Sequence, residues 1–316
     1  MREGVPPVTG ALALLFGVVV VGWGLPRLLN RADLWRHDPL PVMVGLLVAM
    51  AGLVIAAVAG VALLLVPGHG VVPPLLGVLH HCWSALRHGS PPRVEELVGL
   101  LGAVVLLGIT LRVVIVGPGA RWRRARTRRK HLSEAGSPST WWLAHDRPLA
   151  FSLAGRPGVI VATDGLAEHL DPAAVGAVLA HERAHLRGRH HFLVGLVESL
   201  ATALPFIPLF RLAPRMMRQL VELAADVAAV REYGAPAVRT ALLTVSGHGS
   251  PGVALAMGRD SVAIRLQRLR DGGMPTGRLR RAVSCGVAGA GGVLVPFLAG
   301  AVMLLVLAVL TCPIGA

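Results

Sequence analysis

Lysine is all but missing from this chain: Lys130 is the only one in 316 residues, and the other 30 basic side chains are arginines. Lysine-based covalent chemistry is excluded everywhere but at that position. Nearly every positive charge is a guanidinium that stays charged at any working pH. Cysteine is scarce too, and the three present, Cys82, Cys285 and Cys312, are too few and too odd in number for a disulfide framework. Cys82 and Cys312, both expected near the outer surface, leave room for one bridge. The chain shows no internal repeat and no long low-complexity tract. Charged residues make up only 15% against 54% apolar, with a mean hydropathy of +0.64, which excludes an ordinary soluble enzyme.

The apolar residues gather into runs. Four are long enough to cross a hydrocarbon core, which takes roughly 20 helical residues: 8–25, 42–66, 97–116 and 287–310. The first lacks a small-x-small cleavage site after its apolar stretch and carries Glu3 beside Arg2, so it reads as a retained span and not a signal peptide. Charge is distributed unevenly. Residues 117–285 hold 24 of the 31 basic residues and 12 of the 17 acids, a surplus of 12 out of the net +14. The densest part, 121–130, has seven positive residues in ten and follows the third run directly. Basic loops stay in the cytoplasm, so 117–285 is expected inside the cell membrane and both termini outside. Beside a span, the 121–130 run reads as an anchor on anionic lipid, and no direct nucleic-acid binding is expected. The fold class that follows is mainly α and integral to the membrane. Residues 1–116 supply three transmembrane helices, 117–285 a cytoplasmic α+β domain, and 286–316 a fourth helix with a short tail.

Within that domain, 148–153 and 159–163 read as short strands joined by a Gly- and Pro-containing turn. Asp171-Pro172 is a helix start, with Asp as N-cap and Pro in the first turn, and Gly188 is a stop. On the helix between them lies His181-Glu182-Arg183-Ala184-His185. Histidines four apart share a helical face, so two imidazoles can grip one zinc ion while Glu182 serves as a base at its edge. With 13 His in the chain, chance supplies about 0.015 such motifs. A catalytic zinc takes three protein ligands and keeps one position open. Glu222 is the best third candidate, with Asp226 on the same face four residues on. One carboxylate would bind the metal, and the other would accept a hydrogen bond from a liganding histidine.

Here the sequence resembles a known family. Ala150-Phe151, Gly158-Val159-Ile160 and Asp164-Gly165-Leu166 are followed by Ala177-Val178-Leu179-Ala180 running into the histidine motif, then by Glu222-Leu223-Ala224-Ala225-Asp226. Together with Leu204-Pro205-Phe206-Ile207-Pro208-Leu209 they are similar to the gluzincin core of the BlaR/MecR-type membrane antirepressors, with kinship to the Ste24/HtpX-type membrane peptidases. The resemblance implies His181, His185 and Glu222 as zinc ligands, Glu182 as general base and Asp226 as the partner that orients a histidine. It implies hydrolysis of a cytoplasmic protein substrate, such as a transcriptional repressor. A quality-control peptidase and a non-catalytic signalling or metal-handling protein are the alternatives. Two departures stand out. The β-lactam sensors of the family carry an external penicillin-binding domain after the last span, which is not expected here. The Ste24 type carries a His-Pro-x₄-Arg stretch that contributes to transition-state stabilisation; this chain has Arg259 in place of the histidine and Arg265 as the matching arginine, which implies a catalytic role for Arg265.

One apolar stretch resists simple assignment. Residues 192–209 have spanning length but contain Glu198, Pro205 and Pro208. A single crossing would put Glu222 on the opposite side from His181. The stretch is therefore expected to be a re-entrant or interfacial hairpin, or a helix of the domain core. Substrate is expected to lie extended along an edge strand near residues 150–153. His69, His80, His81, Cys82 and His88 in the outer loop read as scattered loop residues, and Trp141 and Trp142 as residues of a membrane surface or of the domain core.

Overall fold

The computed structural model describes residues 7–31, 36–65, 140–155, 157–247, 255–271 and 277–311, with isolated positions between 101 and 112. In chain order the elements are α1 (Pro7–Arg31), α2 (Pro39–Leu65), β1 (Thr140–Leu143), β2 (Ala150–Leu153), β3 (Val159–Thr163), α3 (Asp164–His169), α4 (Pro172–Arg187), α5 (His190–Ala203), α6 (Pro208–Gly247), α7 (Leu255–Arg270) and α8 (Arg278–Thr311).

Three helices among the described residues are long and apolar enough to cross a membrane: Gly10–Arg31, Pro39–Leu63 and Leu279–Val306. They coincide with three of the expected runs, but α1 continues past residue 25 through Pro26 to Arg31, and α8 begins at Arg278. An apolar run marks the part of a helix that seeks lipid, while the helix itself propagates into flanking polar sequence. The expected span 97–116 falls largely outside the described residues. Those positions in it that are described are helical, and Gly102 lies against Val61 of α2. The loop 67–96, expected on the outer side, and the basic run 121–130 also lie outside the described residues.

α1, α2 and α8 pack on one another through small residues: Gly17 against the Pro296 carbonyl, Gly45 against Ala288, Gly52 and Ala49 against Gly292, and Gly300 against Ala13. Lipid supplies no hydrophobic drive between helices, so close van der Waals approach has to supply the attraction. A Cβ at residue 292 would lie 2.8 Å from the Ala49 backbone nitrogen, whereas one at residue 291 would meet nothing within 4 Å. Gly292→Leu is therefore expected to cost about 1–3 kcal/mol, and Gly291→Leu far less. Thermal melting of the two variants in detergent checks this, and equal melting points would contradict the packing account.

The strands form one sheet in the order β1-β3-β2. The turn at 154–158 joins β2 and β3 as an antiparallel hairpin, with Ala150 opposite Ala162 and Leu153 opposite Val159. β1 pairs in parallel with β3, Thr140 against Ile160 and Leu143 against Thr163, so Trp141 and Trp142 belong to the sheet. β3 lies between its partners and buries Ile160, Val161, Ala162 and Thr163. β2 is an edge.

α4 starts as its sequence dictates: the Asp171 side chain accepts from the Ala174 amide at 2.7 Å, and Pro172 occupies the first turn. Its inward face is a ridge of alanines. Ala177 and Ala180 meet Ala229 and Val238 of α6, and Gly176 lies beneath the Tyr233 ring. Such small side chains let α4 and α6 approach closely, which brings the chemistry of both onto one spot. α6 changes course at Gly234, where φ is +82°, a conformation that only glycine takes without strain.

The apolar stretch 192–209 is a helix, a turn and the start of a second helix. α5 ends at Ala203, residues 204–207 turn, and Pro208 opens α6. Leu204, Ile207, Leu209 and Phe210 join a core with Val18 and Val21 of α1 and Met43, Leu46, Met50 and Leu53 of α2. Ile207 touches Gly22 of α1, nine residues before that helix ends at Arg31. At 1.5 Å per residue the turn reaches roughly 13 Å along α1. On the domain side, the Arg268 guanidinium donates to the His37 carbonyl at 2.7 Å, and that of Arg281 donates to Asp38 at 2.8 Å. The α1–α2 connection thus sits beside α7 and the beginning of α8.

Candidate metal centre

α4 presents His181 and His185 one turn apart, and α6 presents Glu222 to both. The His181 and His185 Nε2 atoms are 3.1 Å apart. From His181 Nε2 to Glu222 Oε2 is 3.4 Å, and from His185 Nε2 to Glu222 Oε1 is 3.5 Å. Ligands 2.0–2.1 Å from a tetrahedral ion stand about 3.3 Å from one another. The three side chains therefore form nearly one face of such a tetrahedron, and their donor atoms all lie within 4.8 Å of one another. Two imidazoles and a carboxylate suit a divalent ion such as zinc.

A second set of groups holds the first in place. Asp226, buried at 3% exposure, sits 3.0 Å from Nδ1 of His181 and so fixes that ring with Nε2 facing Glu222. Arg265 of α7 grips Asp226 through Nε and Nη2, both at 2.7 Å, and reaches Glu222 through Nη1 at 3.2 Å. On the far side, Nδ1 of His190 stands 2.9 Å from Nδ1 of His185.

The electrostatics favour a cation at the triangle. Burial opposes charge on Glu222 and Asp226, yet the His181 hydrogen bonds and the Arg265 charge hold both near 2. Burial likewise opposes charge on His181, but its bonds to Asp226 and Glu222 raise it to about 9. Two carboxylates around one imidazole call for positive charge, which a proton or a metal ion satisfies. His185 goes the other way, lowered to about 3 by burial and by its charged neighbour His181, so its nitrogen lone pair stays available. Glu182 is pushed above the usual carboxylate range by burial, against an opposing hydrogen bond from Ser152 of the edge strand β2. A carboxylate with raised proton affinity, next to a metal-binding triangle and touching a sheet edge, can serve as a general base toward an extended chain lying on that edge.

All the residues singled out in the sequence meet here: His181, Glu182, His185, Glu222, Asp226 and Arg265. Arg265 is directed onto the two α6 carboxylates. Sequence reasoning missed Ser152, His190 and His191. The Ser152 hydroxyl lies 3.2 Å from Nε2 of His191. The histidine pair directly after Gly188-Arg189 was visible in the sequence, but no spacing rule connects it to His185.

Residues 123–248 match the family model described as Peptidase family M48, and the match covers β1 to the end of α6. Peptidases of that family are metallopeptidases, and the triangle is a group among the described residues with the donors and spacing to hold a metal ion. No solved structure matches the chain.

Proposed function

We propose that this M48-like domain makes the chain a membrane-embedded zinc metalloendopeptidase that cuts a cytoplasmic protein at a defined site, with a transcriptional repressor as the substrate class. The observation that carries the chemistry is the His181–His185–Glu222 triangle with Glu182 beside it on α4. Zinc, when bound there, supplies a Lewis acid and lowers the pKa of a coordinated water from 15.7 toward about 7. The chain's own residues do the rest. Glu182 removes a proton from the attacking water and returns it to the leaving amine. Asp226 keeps His181 in the tautomer whose Nε2 faces the triangle, and Arg265 holds Asp226 and Glu222 in register. Among the described residues no further strand pairs beside β2, Ala150–Leu153, and a substrate strand would add along that edge next to Glu182.

The cytoplasmic assignment is supported by the basic surplus of 117–285, and the repressor by the resemblance to the BlaR/MecR type. A comparison of new protein N-termini between cells with the wild type and cells with a Glu182→Gln variant tests both. A small set of cytoplasmic cleavages that includes a DNA-binding protein is expected. Broad cleavage of unfolded membrane proteins would replace the regulatory role with quality control, and cleavages confined to external segments would reverse the orientation.

A further inference from the structure

The two histidines of the triangle are supported differently, and the second support has no counterpart in the sequence pattern. His181 rests on a carboxylate, Asp226, whereas His185 rests on another imidazole. Three independent features bring His190 to that position. It is buried, at 7% exposure, with Nδ1 2.9 Å from Nδ1 of His185. Residue 188 is glycine where a Cβ would run into the His190 ring. Arg189 between them takes φ +49° and ψ +38°, the only described non-glycine residue at positive φ. That conformation is strained for a non-glycine residue and persists only where its surroundings hold it. The chain bends sharply at 188–189, and the bend directs the first side chain of α5 back beneath α4.

We infer that His190 is a positioning residue for the metal centre: it accepts the Nδ1 proton of His185 and thereby holds the His185 ring with Nε2 toward the triangle. The inference rests on the zinc-peptidase reading above. A liganding imidazole that uses Nε2 carries its proton on Nδ1, and a partner at that nitrogen fixes the tautomer and the ring plane. His190 can accept only through an unprotonated Nδ1, so its own proton resides on Nε2. A neutral imidazole is a weaker acceptor than a carboxylate, so His185 is the less basic of the two ligands and the more sensitive to loss of its partner.

The test uses full-length protein in detergent and measures zinc affinity by competition with a chromophoric chelator. The visible spectrum of the cobalt-substituted site is recorded, and melting with excess chelator reports the metal-free fold. His190→Phe removes the acceptor while keeping a ring. It is expected to weaken zinc binding by roughly 10–100-fold, to shift the cobalt bands, and to lower kcat with little change in KM. His190→Asp restores an acceptor and is expected to return affinity and spectrum toward the wild type. Should His190→Phe fail to fold, Gly188→Ala, whose methyl displaces the His190 ring, is expected to show the same loss. Wild-type zinc affinity and unchanged cobalt bands in a folded His190→Phe overturn the inference, as does a folded His190→Asp as weak as His190→Phe. A wild-type protein that holds no zinc overturns the peptidase reading, and this inference with it.

Discussion

A Glu182→Gln protein is expected to bind zinc like the wild type and to lose peptide-bond hydrolysis. Glutamine keeps the size of the side chain and one acceptor oxygen but cannot take up a proton. Glu182 is not among the three donors of the triangle, so metal affinity should be nearly unaffected. Removing a positioned general base costs typically 10²–10⁴-fold in rate, here about 3–5 kcal/mol of barrier at 1.36 kcal/mol per tenfold. The measurement pairs zinc content with cleavage of a peptide substrate. Normal turnover in the variant refutes the assignment of the base, while loss of zinc along with turnover moves Glu182 into the coordination set. The same chemistry sets the pH response. Burial raises the Glu182 pKa, so the ionised base is lost at a higher pH than for an exposed glutamate.

The second large effect belongs to Asp226. Its carboxylate is buried and answers both the Nδ1 of His181 and the guanidinium of Arg265. Asp226→Ala leaves the Arg265 charge partly uncompensated in a buried place, and removing one partner of a buried pair costs about 3–5 kcal/mol. The variant is expected to melt well below the wild type and to bind zinc more weakly, because His181 loses the group that orients it. Arg265→Ala should destabilise too, and the double variant by less than the two single effects combined. Additive losses would show that the Asp226–Arg265 contact contributes nothing of its own. Asp226 is held near 2, below the 3.8 of a free aspartate. Its contribution is therefore complete above about pH 4 and is lost as the pH falls through 2. A melting series in acid gives an independent reading of the same interaction.

Much of this site was legible in the sequence because helices translate spacing into geometry. Residues four apart on α4 and four apart on α6 share their faces whatever surrounds them, so the histidine pair and the carboxylate pair could be read directly. The convergence of the two pairs needed more: the alanine ridge on α4 and Gly176 beneath Tyr233 let the helices approach. β1 escaped because four residues, Thr140–Leu143, show no alternation of polar and apolar side chains, and its pairing with β3 is parallel and distant in sequence. His190 escaped for a different reason. Its reach to His185 depends on a left-handed Arg189, and no local propensity predicts such a backbone at arginine. The course of 192–209 was constrained by the chemistry, since Glu222 had to return to His181, but the docking of Ile207 on Gly22 depends on side-chain shape in three dimensions.

α7 joins two distant parts of the chain. Arg265 and Arg268 are three residues apart on it. The first grips the α6 carboxylates, and the second grips the His37 carbonyl in the connection between α1 and α2. One helical turn of rigid backbone thus tethers the linker between two apolar helices to the carboxylates of the metal centre. Through α7, the His37 carbonyl and the carboxylates of Glu222 and Asp226 share one helical support.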